Sequence, residues 1–359
     1  MRGRDSGRKD RRDAKAPEGR EDTIAAFSFR KIDRPRAAIL LALAANASIL
    51  LFFLSGFLIV DPDLFHEMAL ARAALRLGEM PSQDLFAFTP TVLPSVHHEW
   101  GTGMVLYWIV TRSGAAGLLA LKYLLGFSTA FLALRAARLL DAGWEVLCLL
   151  SPLAWMMADI GFSNVRAQFF TLLFLAALLV MIQWDRKGRR LWVVPWLLLY
   201  TAWLNLHGGF VAGALLLACH WLEQVFRTRK AQGHLIACGL AMAALVMVNP
   251  YGIDYATYLY GALRMSRPAN PEWGPVWASP SLAALFGFSL LVAAHAWHRR
   301  GRWNAPGWLA VAVFALAAAV HIRHLSIFAL VWTAFVPAWV EATPMGGASR
   351  AFGKGTRRP

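Results

Sequence analysis

Cysteine is nearly missing from this chain. Its three residues, Cys148, Cys219 and Cys238, all fall inside apolar runs. They have neither the paired spacing of a disulfide framework nor the spacing of a thiolate metal centre, so core packing is their expected role. Negative charge is also scarce. There are 21 Asp and Glu against 36 Lys and Arg, a formal net charge of +15. In a soluble protein that excess would point to nucleic acid. Here it has a topological explanation, because cytoplasmic loops of membrane proteins collect Lys and Arg, and no nucleic-acid partner is expected. No internal repeat, low-complexity block or soluble domain stands out. Residues 1–36 are too long and too charged for the n-region of a cleaved signal peptide.

What the chain has in abundance is apolar length. Hydrophobic residues make up 58% of it. A bilayer core about 30 Å thick needs roughly 20 apolar residues per spanning helix, and several runs meet or approach that. The expected fold is all-α: a polytopic integral membrane protein with about ten transmembrane helices. The candidate spans are 37–60, 115–140, 143–158, 166–184, 191–204, 210–226, 233–248, 281–298, 307–322 and 325–341. Spans 143–158 and 191–204 are short, and segment 98–110 is apolar but too short to cross. That segment is expected to lie in the interface or to re-enter. With both termini cytoplasmic, the inside segments hold most of the Lys and Arg, including Arg135, Arg138 and the runs at 185–190, 227–230 and 299–302. Residues 1–36 then form a disordered basic tail, 37–341 the transmembrane domain, and 342–359 a second basic tail. The expected location is the inner or plasma membrane.

Polar residues of other kinds collect in the loops assigned to the outside. These loops carry Asp61-Pro62-Asp63, His97-His98-Glu99-Trp100, Arg166-Ala167-Gln168, Asn205-Leu206-His207-Gly208-Gly209, Asn249-Pro250-Tyr251-Gly252, Glu272-Trp273 and His321-Ile322-Arg323-His324. Asp61-Pro62-Asp63 first reads as helix chemistry: an N-cap, a proline at the first helical position, and a carboxylate on the positive helix end. Leu64, Met68, Ala71 and Leu75 then make one apolar stripe, as in a helix lying in the interface. A carboxylate there could also deprotonate an acceptor hydroxyl, or help hold a divalent cation near phosphate oxygens.

The outer segment 61–101, taken whole, resembles the first outer loop of polytopic glycosyltransferases of the C superfamily (GT-C). It is most similar to a bacterial branch whose loop carries an Asp-Pro-Asp-Leu opening, then Pro-x-x-Asp-x-Phe-x-Phe-Thr, then His-Glu-Trp. Asp61, Pro62, Asp63, Leu64, Arg72, Gly78, Pro81, Asp84, Phe86, Phe88, Thr89, His98, Glu99 and Trp100 fit that pattern. The later outer motifs extend the resemblance over most of 37–341. The chain departs from the pattern at Glu67, which stands where the family has histidine, and at His66, where the family is usually aromatic.

The resemblance implies a GT-C-like fold and transfer of a sugar from a polyprenyl-phosphate carrier. The acceptor would be a lipid, glycan or protein on the extracytoplasmic face, with membrane lipids as surroundings. It makes Asp61 or Asp63 the leading acid or base, with Glu67 next. Arg166, Arg323 and Arg72 become candidates for the carrier phosphate, because guanidinium forks pair with phosphate. His98, Glu99, Asn205, His207 and His324 become candidates for sugar hydroxyls. Arg264 and Arg267 read as solvated or lipid-facing. Two rival readings remain: a non-catalytic scaffold of the same fold, and a transporter or flippase. Transport would place ionisable groups near mid-membrane, and Lys122 is the main residue of that kind.

Overall fold

The computed structural model describes residues 34–55, 61–265, 267 and 270–343. Most of the two expected tails therefore lies outside the described residues. Among those residues the chain is helical and has no strand. The helices are α1 Arg34–Ser55, α2 Asp63–Leu77, α3 Trp100–Arg138, α4 Trp144–Phe162, α5 Gln168–Arg186, α6 Val193–Leu206, α7 Phe210–Thr228, α8 Gly233–Leu245, α9 Ile253–Arg264, α10 Pro280–Arg299, α11 Trp308–Val320 and α12 Leu325–Glu341.

Among the described residues, six segments are long and apolar enough to cross a membrane: Ala37–Ser55, Trp100–Arg138, Trp144–Phe162, Gln168–Arg186, Pro280–Arg299 and Ile322–Glu341. This is fewer than the ten spans expected. Helices α6, α8 and α11 are apolar but only 14, 13 and 13 residues long. Helix α7 has 19 residues but carries His220 and Glu223 on its buried side. The region expected as 143–158 forms the 19-residue α4 and does reach spanning length.

The segment 98–110 and the span 115–140 are joined in α3. Gly114 interrupts that helix at φ 56°, ψ −150°, a conformation open to glycine. Thr102 and Leu106 from the first arm line one small cavity together with Leu121, Lys122 and Leu125 from the second. A straight helix would hold Leu106 and Leu121 about 22 Å apart, so the chain folds back on itself at Gly114. The first arm packs on α2 and α6 rather than crossing as a separate span.

Helices α5 and α12 form the centre. Nearly every side chain of α12 is buried, against α3, α4, α5, α10 and α11. By contrast α1 exposes Leu40, Leu41, Leu51 and Phe52, as a lipid-facing helix does. It is fastened to α4 by polar contacts: Asn46 Nδ2 donates to the Cys148 carbonyl (2.9 Å), and the Ser151 hydroxyl donates to Asn46 Oδ1. Such bonds matter here because lipid supplies no hydrophobic force between helices.

Candidate functional site

The site starts with the cap of α2. Asp61 Oδ1 accepts from the Asp63 backbone N–H at 3.1 Å, so Asp61 caps the helix as its position suggests. The helix ends at Gly78, which takes the left-handed conformation (φ 78°) while its N–H bonds the Ala74 carbonyl. These ends fix the phase of α2, and Asp63 and Glu67, one turn apart, fall on one side. Gly103 of α3 lies against the Glu67 backbone, where an added Cβ would collide with the Glu67 carbonyl oxygen.

That side of α2 borders a cavity of about 660 Å³. Nine of the residues singled out from sequence line it: Asp61, Asp63, Glu67, His98, Glu99, Arg166, His207, Arg323 and His324. They come from several separate stretches of chain. Two others are placed elsewhere. Arg72 lies outside the cavity, on the other side of α2. Asn205 is committed to packing: its Oδ1 accepts from the Trp100 indole N–H (3.1 Å), and its Nδ2 donates to the carbonyls of Thr201 and Val248 (both 2.9 Å).

The cavity's charges divide into engaged and free groups. Arg166 bridges two carboxylates, Asp61 Oδ2 at 2.9 Å and Glu272 Oε1 at 2.8 Å. Its loop is held from behind by Lys122, whose Nζ donates to the Ser163 carbonyl at the end of α4 (2.5 Å). A cation at a helix C-terminus is favourably placed, which accounts for Lys122 without a transport role. Glu99 Oε1 sits between two imidazoles, His98 Nε2 at 3.4 Å and His207 Nε2 at 3.3 Å. The network sets both tautomers. His207 Nδ1 accepts from the Gly209 N–H (3.0 Å) and from the Thr171 hydroxyl (2.7 Å), which itself accepts from the Trp203 indole. Hence Nε2 carries the proton and points it at Glu99. The Tyr258 hydroxyl, kept protonated by burial and by Glu99, donates to His98 Nδ1 (2.9 Å).

These contacts drive the titrations apart. Burial pushes the Glu99 carboxyl up, but the His98 hydrogen bond and the positive fields of His207, His98 and Arg166 outweigh it and hold the group at about 2. Burial takes His207 down to about 4, so at neutral pH it helps Glu99 as an N–H donor, not as a cation. Glu67 goes the other way. Burial, then the negative charge of Glu99, raises it to about 7 despite the counteracting His98. Its Oε2 is buried and has no hydrogen-bond partner. Asp63 is raised by burial and by the Asp61 and Glu99 charges, and sits exposed at the rim.

The free cations are Arg323 and Arg267. Each guanidinium lies 4.5 Å from the Trp273 ring centroid, and no carboxylate pairs with either among the described residues. Trp273 is fixed by the segment leading into α12: the His321 ring N–H donates to its carbonyl (2.6 Å), and the Ile322 N–H donates to the Gly274 carbonyl (2.9 Å). Gln168 Nε2 bonds the Arg323 carbonyl (3.3 Å) and steadies that residue. His324 gives its Nδ1 proton to the Ala317 carbonyl (3.3 Å).

Arg267 and Tyr258 are cavity residues that sequence reasoning misses. Arg267 reads as solvated or lipid-facing, and nothing in its sequence neighbourhood says otherwise. For Tyr258 there is a signal: Tyr251, Tyr255 and Tyr258 repeat at helical spacing. The donor set does not suit a divalent cation. No three His, Cys, Asp or Glu are arranged to hold a metal ion among the described residues, and Arg166 and the imidazoles already occupy Asp61, Glu272 and Glu99.

The remaining wall is apolar. Val211 and Leu215 of α7, Leu259 and Leu263 of α9, Phe314 of α11 and Ile327 of α12 complete it. Leu215 and Leu263 of this wall are exposed. No known family, curated protein or solved structure matches this chain.

Proposed function

We propose that the protein is a membrane glycosyltransferase, moving a sugar from a polyprenyl-phosphate carrier to a hydroxyl of a lipid, glycan or protein on the extracytoplasmic face. One observation carries the reading. Free carboxyl groups and free guanidinium groups share one cavity whose remaining wall is apolar and includes the exposed Leu215 and Leu263. A donor of this class has the matching parts: an apolar chain, a phosphate and a polar sugar.

The chemistry follows from the charges. The acceptor oxygen bonds the sugar's anomeric carbon as the bond from that carbon to the phosphate oxygen breaks. The electron pair leaves with the phosphate, and the negative charge gathered there is met by Arg323 and Arg267. The acceptor's proton goes to one of the two carboxyl groups of α2 that no cation holds, Asp63 or Glu67. Arg166 orders the site by binding Asp61 to Glu272, and Glu99 orders His98 and His207.

The test is mass spectrometry of lipids and surface glycans from a strain lacking the gene. The expected result is an accumulated polyprenyl-phosphate sugar together with a glycan or lipid short of that sugar. An unchanged lipid and glycan profile overturns the reading. So do reporter fusions that place residues 61–101 in the cytosol.

A further inference from the structure

The cavity has five carboxyl groups, and three of them are already employed. Asp61 and Glu272 hold Arg166, and Glu99 is gripped by His98 and His207. Asp63 is free but stands at the exposed rim. Glu67 alone is both free and recessed. Its Oε2 is sealed from solvent without a hydrogen-bond donor, a costly state for a charged oxygen. Its backbone is clamped by Gly103, so α2 cannot easily swing the group elsewhere.

We infer that Glu67, rather than either aspartate, is the general base of the transfer. The inference rests on the transferase reading above and deepens it. In the step, the acceptor O–H bond breaks and its proton moves to the Glu67 carboxylate. The freed oxygen pair forms the new glycosidic bond, and the old bond's pair leaves on the polyprenyl phosphate. Atoms and charge balance with no further reactant.

The surroundings suit the role. On α2, Glu67 is flanked by Asp63 and His66. From the segment before α3 it faces Glu99 and His98, and from the α9 side Tyr251 and Tyr258. None of these is a permanent cation, and the nearest charges are negative. The carboxyl group therefore holds its proton up to about 7. A base is most effective when its affinity for protons matches the working pH. Asp61, by contrast, is already engaged, with its Oδ2 held by the Arg166 guanidinium at 2.9 Å.

The experiment uses the full chain in proteoliposomes. Synthetic polyprenyl-phosphate glucose, galactose, mannose and arabinose are offered in turn with a membrane lipid extract as acceptor, and released polyprenyl phosphate is measured from about pH 5 to about pH 9. The expected wild-type kcat rises through about pH 7 and then levels off. Glu67→Gln should lower kcat by about 100-fold or more with KM little changed, and should abolish that rise. Glu67→His should recover part of the rate and keep a rise. Infrared difference spectra of the carboxyl band should show a proton leaving near neutral pH in wild type but not in Glu67→Gln. That measurement needs no turnover.

The assignment is overturned if Glu67→Gln keeps the rise in kcat, or if the infrared titration is the same in both proteins. Loss of the rise in Asp63→Asn but not in Glu67→Gln moves the role to Asp63. No release by wild type from any donor overturns the transferase reading, and this assignment with it.

Discussion

About 26 Å separates Gln168 from Asp185 along α5, and polar groups at these two ends are put to different use. At the Asp185 end, buried charge is matched internally. Asp185 Oδ1 takes Arg190 Nη1 (2.5 Å), the Trp192 indole N–H (3.0 Å) and His234 Nε2 (2.8 Å), while Oδ2 takes His220 Nε2 (2.9 Å). Glu223 binds Arg186 (3.1 Å), Arg227 (3.6 Å) and the Gly307 N–H. These contacts join α5 to α7, α8 and the start of α11. At the Gln168 end the ion pairs are incomplete. Asp63, Glu67, Arg267 and Arg323 line an open cavity and have no ionic partner among the described residues. Matched charge ties helices together, and unmatched charge is available to a ligand. The comparison therefore predicts that substitutions at the two ends fail in different ways.

The largest effect belongs to Arg323. Arg323→Gln removes a free guanidinium from the cavity and leaves the Gln168 contact, which goes to the backbone. Transfer should fall by more than about 100-fold, while the melting temperature in detergent stays at the wild-type value. Arg72→Ala, outside the cavity, should leave the rate within about twofold of wild type in the same assay. Equal losses from both variants would mean that charge on this side of the protein matters generally, not cavity placement.

Asp185→Ala is the opposite experiment. It strands Arg190, His220 and His234 around a buried gap, and breaking such a cluster from one side costs about 3–5 kcal/mol. The expected outcome is a clear drop in melting temperature, with the rate per folded molecule preserved. A variant that melts normally but cannot transfer sugar would dissolve the distinction between the two ends.

Much of this division is legible in the amino-acid sequence. The Asp61-Pro62-Asp63 cap reads directly from residue chemistry, and the ordered outer motifs lead to nine of the cavity's residues. Other features exist only in three dimensions. Asn205 has the polarity of a ligand residue, yet Trp100, Thr201 and Val248 absorb it. Arg267 reads as solvated or lipid-facing, but its guanidinium lies over Trp273. Hydropathy marks ten apolar runs but not where each helix ends: six reach spanning length among the described residues, while α8 and α11 stop at 13 residues. The short apolar segment 98–110 hints at the fold-back, but its position at Gly114 leaves no mark beyond one glycine among several.

A smaller effect tests how firmly the free end is built. Gly103→Ala adds a Cβ against the Glu67 carbonyl and pushes α2 away from α3. Displacing a reacting group by about 1 Å can cost up to about 100-fold. A loss of about tenfold in kcat is expected, with little change in melting temperature. A wild-type rate would show that α2 tolerates displacement and that the Glu67 position is not finely set.

The smallest effect is on stability, and its sign separates the ends again. Glu67 titrates at about 7 in the folded chain, against 4.5 for an ordinary glutamate. A carboxyl group raised by folding binds its proton more tightly when folded. Its contribution is favourable below the ordinary value and is lost as pH rises through the folded one. Glu67→Gln removes that loss. The variant should melt with wild type at about pH 4 and a few degrees above it at about pH 8. The matched end predicts the reverse dependence on charge: neutralising Asp185, whose carboxylate is held by four donors, should destabilise the protein at about pH 8. If Glu67→Gln instead destabilises the protein at about pH 8, the Glu67 carboxylate has a partner after all, and the free end is structural like the other.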